Sequence, residues 1–428
     1  MAQARTQPVT RTTAASPVTH QTLPCGIELA VLHLPDRRAM AMDIRVAAGA
    51  AYDPPDRLGL ADLVSETLDK GTAHHTGREL SDAFDAIGAV AGSWCGREQT
   101  GFTSLCLPEF FDRTVELHAE YLRTPTFPED SCSVAIELAH QELLTLEDDP
   151  QSLADKFLCR QALGPVLGRH VTGEDETLSR ISRADFLDYW QRYYRAGRMI
   201  MAVAGPLPPT QVADIIARRF EGFGPPAPEA RPLFEVEFAP ITTHHQKETE
   251  QEQIAMALRS IPLTHPDQPV ERVLLGVLSG GMSARLFSEV REKQGLVYWV
   301  SAWRETPRGS GMLFVGASTT PARVDQTYTT LLRELERAAE DVTAAEIERA
   351  LAGIMVRADI RGDVTRAQCG ELADDIVHYG RYVPREEKIA RVQKVTPADV
   401  ARYAAAHLRR QPRSTVTLGP RPLVESGS

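Results

Sequence analysis

The stretch AAGAAYDPPDRLGLADLVSETLDKGT, residues 47–72, decides the reading of the fold. Its second part predicts a helix from about Gly59 to Lys70. Leu60, Leu63, Val64 and Leu68 recur on one face of it, and Gly71 can terminate it. Asp62, Ser65, Glu66 and Asp69 project from the opposite face, as on a solvated helix. Upstream, IELAVLHLP (27–35) and AMDIRVAAG (41–49) predict an antiparallel pair of strands. Strands followed by an amphipathic helix mark an α+β arrangement.

Working outward, the plan repeats. ISRADFLDYWQRYYRAGRMIMAVAGPL begins at Ile181, and VTPADVARYAAAHLRRQPRSTVTLGP begins at Val395. Each opens with a hydroxyl residue three positions before an acid, Ser182 before Asp185 and Thr396 before Asp399, a variant of the capping box. A helical pattern, a β-branched run and Gly-Pro follow. Asp185 to Gly205 and Asp399 to Gly419 are both 20 residues, which indicates an internal duplication. Between the halves, GFGPPAPEARPLFEVEF predicts an extended, proline-rich linker. In the second half, IAMALRSIP (254–262) predicts a strand and 268–279 a helix. A further helix ends at Gly295, and LVYWVSAW (296–303) follows as a strand. The expected organisation is a disordered tail (1–20), a first domain (21–222), a linker (223–242) and a second domain (243–428).

The chain has 428 residues, 43% hydrophobic and 25% charged, which suits two globular domains rather than one core. The net charge of −11 argues against nucleic acid or an anionic membrane as partner. No apolar run is long enough to span a bilayer. The N-terminal segment lacks the apolar core of a secretory signal, and the six cysteines show no CxxC spacing, so reduced thiols in the cytoplasm are expected. The pairs His74-His75 and His244-His245 are read as surface histidines. Ser279-Gly280-Gly281 is read as a packing turn, and Cys95 and Cys106 as buried small residues.

Several separated blocks resemble the pitrilysin/insulinase peptidases, including the mitochondrial processing peptidase. They are residues 47–72, IGAVAGSWCGREQT (87–100), LRTPTFPED (122–130), HQELLTLEDDPQSLADK (140–156), TGEDETLSRIS (172–182) and SGGMSARLFSEVREKQGLVYWVSA (279–302). The resemblance implies two homologous α+β domains, each a largely antiparallel sheet with helices packed on one face, the mitochondrial processing peptidase-like or LuxS-like metallohydrolase fold. It departs at the metal. Where the family carries H-x-x-E-H, with a metal-bound water polarised by the glutamate, this chain has Asp62, Ser65 and Glu66. Glu142 stands where the family has a further glutamate ligand. Three carboxylates would suit Mg²⁺, Ca²⁺ or Mn²⁺ better than zinc, with no base at position 65. The expectation is no metal in this chain.

The resemblance implies two further sites. Arg291 and Tyr298, seven residues apart, match a pair that donates to the substrate carbonyl and to the oxyanion formed on attack. Gly92, Ser93, Trp94, Cys95 and Gly96 match an edge strand to which a peptide adds as an extra strand. The family includes enzymes divided over two chains. On that pattern this chain is the non-zinc subunit of a heterodimeric metalloendopeptidase that takes unfolded peptides. Its partner is a homologous subunit with an intact H-x-x-E-H motif and zinc. The alternatives are a catalytically inactive scaffold or peptide-binding subunit of a larger assembly, and a hydrolase using the carboxylate cluster.

Overall fold

The computed structural model describes residues 18–224 and 229–424. A six-stranded sheet comprises β1 (Val18–Thr22), β2 (Glu28–His33), β3 (Met40–Val46), β4 (Val90–Cys95), β5 (Thr100–Cys106) and β6 (Met199–Gly205). Its order is β1-β2-β6-β3-β5-β4. A five-stranded sheet comprises β7 (Thr242–Gln246), β8 (Glu252–Ser260), β9 (Val297–Glu305), β10 (Gly311–Thr319) and β11 (Arg413–Gly419), in the order β7-β11-β8-β10-β9. The pairs β2/β6 and β7/β11 run parallel and the other pairs antiparallel. In each sheet the last strand of its half inserts beside the middle. The two strands expected as an antiparallel start, β2 and β3, therefore do not pair with each other. β6 lies between them.

The duplication seen in the sequence is the duplication of the fold. Capping boxes close the N-termini of helices Arg183–Tyr193 and Pro397–His407, and β6 and β11 follow them. Helices Glu129–Asp148 and Ala344–Asp363 are each 20 residues long, and each runs directly into another helix, Pro150–Leu167 or Thr365–Tyr379.

Those two following helices cross over. Helix Thr365–Tyr379 places Cys369, Leu372, Ala373 and Ile376 on the first sheet, against Ala30, Leu32, Ala41, Ile200, Ala202 and Ala204. The sheet is alanine-rich there, so the helix approaches until the Cys369 thiol donates to the Ala202 carbonyl oxygen at 3.2 Å. Reciprocally, Leu153, Leu158 and Leu163 of helix Pro150–Leu167 pack on Ala255, Phe314 and Val416 of the second sheet. Helices of its own half cover one face of each sheet, as expected, and the exchanged helix covers the other. This explains why every residue of β6 and β10 is buried rather than every second one.

Two further expectations change. β1 begins at Val18, so residues 18–20 belong to the sheet rather than to a tail. Residues 1–17 lie outside the described residues. The linker is extended but docked. Phe234, Val236 and Phe238 pack into the core between the halves. Ala239 N–H donates to Gln161 O at 3.0 Å, and Glu237 crosses helix Pro150–Leu167 at Gly164. A Cβ on Gly164 would stand 2.5 Å from that of Glu237, and its φ of +85° kinks the helix.

Candidate functional site

Helix Leu60–Thr67 lies beneath the first sheet with Leu60, Leu63 and Val64 buried, continued by a 3₁₀ turn Leu68–Lys70. Its N-terminus is held from a distance. The Asp53 carboxylate accepts from Gly59 N–H at 2.9 Å and Ala61 N–H at 2.8 Å, which satisfies donors the helix leaves open. Burial pushes the Asp53 carboxyl up to about 7, against those two donors and Arg169. Sequence reading missed this residue, because an acid separated from the helix by Pro54 and Pro55 matches no local capping pattern.

The polar face of the helix is not uniformly solvated. Glu66 is exposed, Asp62 half-buried and Ser65 buried. Asp62, Glu66 and Glu142 line one cleft of about 540 Å³ together with Trp94, Cys95 and Leu138. Burial, then the charges of Glu66 and Glu142, push the Asp62 carboxyl up to about 7. Ser65 is not in that cleft. Its hydroxyl donates to Asp62 O at 2.9 Å, and it lines a separate cavity of about 210 Å³ with Asp69, Gly92 and Ser93. Glu142 accepts a hydrogen bond from the Thr172 hydroxyl at 3.1 Å.

Among the described residues, no group of three or more His, Cys, Asp or Glu side chains is arranged to hold a metal ion. The donor set at this helix, carboxylates without histidine and a serine bonded into its own helix, does not fit a catalytic zinc.

The peptide-binding candidates form the open edge of the first sheet. β4 is its last strand, and Val90 to Trp94 are exposed along it. The Trp94 ring lies across Gly101 of β5, where a Cβ would come within 2.2 Å of it. The Arg45 guanidinium stands 4.7 Å from the ring centroid, held by Asp43 at 2.7 Å and, from the second half, by Asp374 at 3.4 Å. Gly96 O accepts from Ala50 N–H at 3.0 Å and ends the free edge. Cys95 is half-buried rather than buried, and burial pushes its thiol well up.

Arg291 and Tyr298 flank a turn at Gly295. The segment Leu286–Glu292 is a π-helical turn, a form that recurs at functional sites. Arg291 is exposed and lies over the Phe287 ring at 4.9 Å. Tyr298 is the extra residue of a bulge, since Val297 pairs with Thr319 and Trp299 with Ser318. That bulge turns Tyr298 outward, 62% exposed. No hydrogen bond among the described residues joins Arg291 to Tyr298, and neither lines the carboxylate cleft.

The histidine pairs are more engaged than a surface reading allows. His75 meets Glu120 at 2.8 Å, His244 meets Thr417 at 2.9 Å, and His245 stacks on Phe157 with centroids 3.8 Å apart.

Residues 29–174 match the family described as insulinase (peptidase family M16), and residues 180–354 match the peptidase M16 inactive domain. Curated relatives include an uncharacterised zinc protease of Rickettsia felis, 23% identical over 89% of this chain and 92% of its own length. The zinc protease YmxG of Bacillus subtilis is 26% identical over 76% of this chain and 79% of its own. Among solved structures, a peptidase M16 inactive domain from Pseudomonas fluorescens superposes with a TM-score of 0.87 at 20% identity, covering 95% of this chain and 99% of that one. A protease from Helicobacter pylori gives 0.86 at 17%, covering 95% and 100%. Two matched domains in family order, on a fold shared almost end to end, establish that the chain belongs to the pitrilysin/insulinase peptidase family.

Proposed function

We infer that this chain is the non-zinc subunit of a heterodimeric metalloendopeptidase. The observation that carries the reading is one of contrast. Helix Leu60–Thr67 presents no metal-holding group, yet the strand edge beside it, β4, is open to an added strand. Backbone groups of that edge would hold an unfolded peptide, an interaction that tolerates sequence change. Hydrolysis belongs to a homologous partner with an intact H-x-x-E-H motif and its zinc. Arg291 and Tyr298 would donate to the substrate carbonyl and to the developing oxyanion. Their exposure supports a role toward a partner rather than in packing. Six unpaired cysteine thiols support a cytoplasmic setting.

The test is reconstitution. The chain alone shows no peptide hydrolysis, and mixing it with an H-x-x-E-H homologue restores cleavage. Arg291→Ala with Tyr298→Phe lowers kcat/KM of the mixture by about a hundredfold or more. An unchanged rate removes the catalytic role. A second reading, an inactive scaffold or peptide-binding subunit, draws on the absence of any bond between Arg291 and Tyr298. A stable homodimer that ignores the zinc-bearing homologue in mass measurements favours it.

A further inference from the structure

The duplicated half carries a counterpart of the carboxylate cleft, with the charge reversed. In helix Gln268–Ser279 the buried residues Val270, Val273, Leu274 and Leu278 repeat the spacing of Leu60, Leu63, Val64 and Leu68. On that register Arg272 takes the place of Asp62, each nine residues before a glycine, Gly281 or Gly71. Glu142 is the fourteenth residue of helix Glu129–Asp148, and Arg357 is the fourteenth of helix Ala344–Asp363. Two carboxylates in the first half are thus two guanidiniums in the second. Gly276 replaces Glu66 and brings the helices together, since a Cβ there would meet the Ala350 Cβ at 2.8 Å. The cleft stays open at the arginine end.

That cleft has a volume of about 360 Å³ and is lined by Arg272, Arg357, Arg361, Lys388, Glu371 and Asp375 among others. Its acids are already engaged. Lys388 pairs with Asp375 at 2.7 Å, and Arg361 lies 3.8 Å from Glu371. Among the described residues, Arg272 and Arg357 make no ion pair. Burial, and the like charges of Arg361 and Arg357, lower the pKa of Arg272 against the pull of Glu371. A partly desolvated arginine facing other arginines is a site short of an anion.

The two clefts are linked through residues that each shares with a depression between them. Trp94 and Val171 line both the carboxylate cleft and a middle depression, and Asp374 and His378 line both that depression and the arginine cleft. A chain laid along β4 past Trp94 would be led toward Arg272.

We propose that Arg272 and Arg357 form a subsite for a carboxylate of the peptide held at β4, either its C-terminus or an acidic side chain. This rests on the peptide-binding reading above. A monoanion fits better than a phosphate, because Glu371 and Asp375 remain in the wall and would repel a second negative charge. Arginine pairs suit a planar carboxylate, which they can bind by two parallel hydrogen bonds.

The experiment uses the full chain and three fluorescent, unstructured peptides with one core sequence. One carries acidic side chains and an amidated end, one is neutral with a free C-terminal carboxylate, and one is neutral and amidated. At least one carboxylate-bearing peptide binds about tenfold tighter than the neutral amidated one, and its identity names the source of the carboxylate. Arg272→Gln/Arg357→Gln abolishes that preference and leaves the neutral peptide unchanged. Arg357→Gln alone, at an exposed position, weakens it without risk to folding. Equal binding of all three peptides, or a preference that survives the double variant, overturns the proposal. If no peptide binds, the peptide-binding reading fails, and melting shifts with acetate and with inorganic phosphate decide the subsite. An arginine-dependent shift larger with acetate supports a carboxylate site. No shift, or a larger one with phosphate, overturns it.

Discussion

Helices Leu60–Thr67 and Gln268–Ser279 occupy the same place in two copies of one plan, yet they are secured and charged differently. The first is eight residues long and capped by Asp53 from outside the helix. The second is 12 residues long and starts with a proline in its first turn. Its N-cap residue Asp267 makes no side-chain cap and pairs instead with Arg402 at 3.0 Å. The apolar stripe is common to both, and the polar face changes from acid to arginine. The plan is therefore carried by the buried face, and the outward positions are free to diverge.

The edge strands show the same division. β4 and β9 each lay a tryptophan over a glycine of the inner neighbour, Trp94 over Gly101 and Trp299 over Gly316. β4 is exposed along nearly its whole length. β9 is mostly half-buried and is broken by the bulge at Tyr298. One edge is left open to a chain, and the other is bent to present a side chain.

The strongest way to break the comparison is at those glycines. Gly101→Val forces the Trp94 ring off its seat and costs about 3 kcal/mol in urea unfolding, with a shift in tryptophan emission. Gly316→Val costs less, because its ring contact is 2.8 Å against 2.2 Å. Equal costs would mean that the two edges are packed alike. Next, Asp53→Ala removes both donor contacts of the buried cap and costs about 2 kcal/mol. Asp267→Ala removes only an exposed ion pair, and its unfolding free energy changes by about 0.5 kcal/mol or less.

A pH series sharpens the carboxylate side. Asp62 titrates at about 7 in the fold against an ordinary 3.8, so its contribution to stability is full below pH 4 and is lost as pH rises through 7. Asp62→Asn escapes that loss. It is more stable than the parent by about 1 to 2 kcal/mol at pH 8, with a smaller gain at pH 5. A pH-independent difference would show that neither burial nor the neighbouring carboxylates raise the Asp62 carboxyl. A smaller effect than at Asp62 is expected at Thr172→Val. Glu142 keeps its place and loses one partly buried bond worth about 1 kcal/mol in thermal unfolding.

The sequence alone determined the elements and their repetition. Periodicity set helix 268–279, the capping pairs set Ser182 and Thr396, and equal spacing set β6 and β11 as counterparts, because these are local properties of contiguous residues. It also determined that histidine is missing at positions 62 and 66. Only the tertiary structure decided that β6 separates β2 from β3, and that two helices exchange sheets. It alone placed Ser65 outside the cleft that Asp62, Glu66 and Glu142 line, and Arg272 with Arg357 in one cleft. The reason is physical. Periodicity records which face of an element is apolar, but which surface that face meets depends on contacts between residues far apart in the chain. The raised pKa of Asp62 combines both kinds of cause: burial in the fold, the charge of Glu66 one turn along the same helix, and the approach of Glu142 across the cleft.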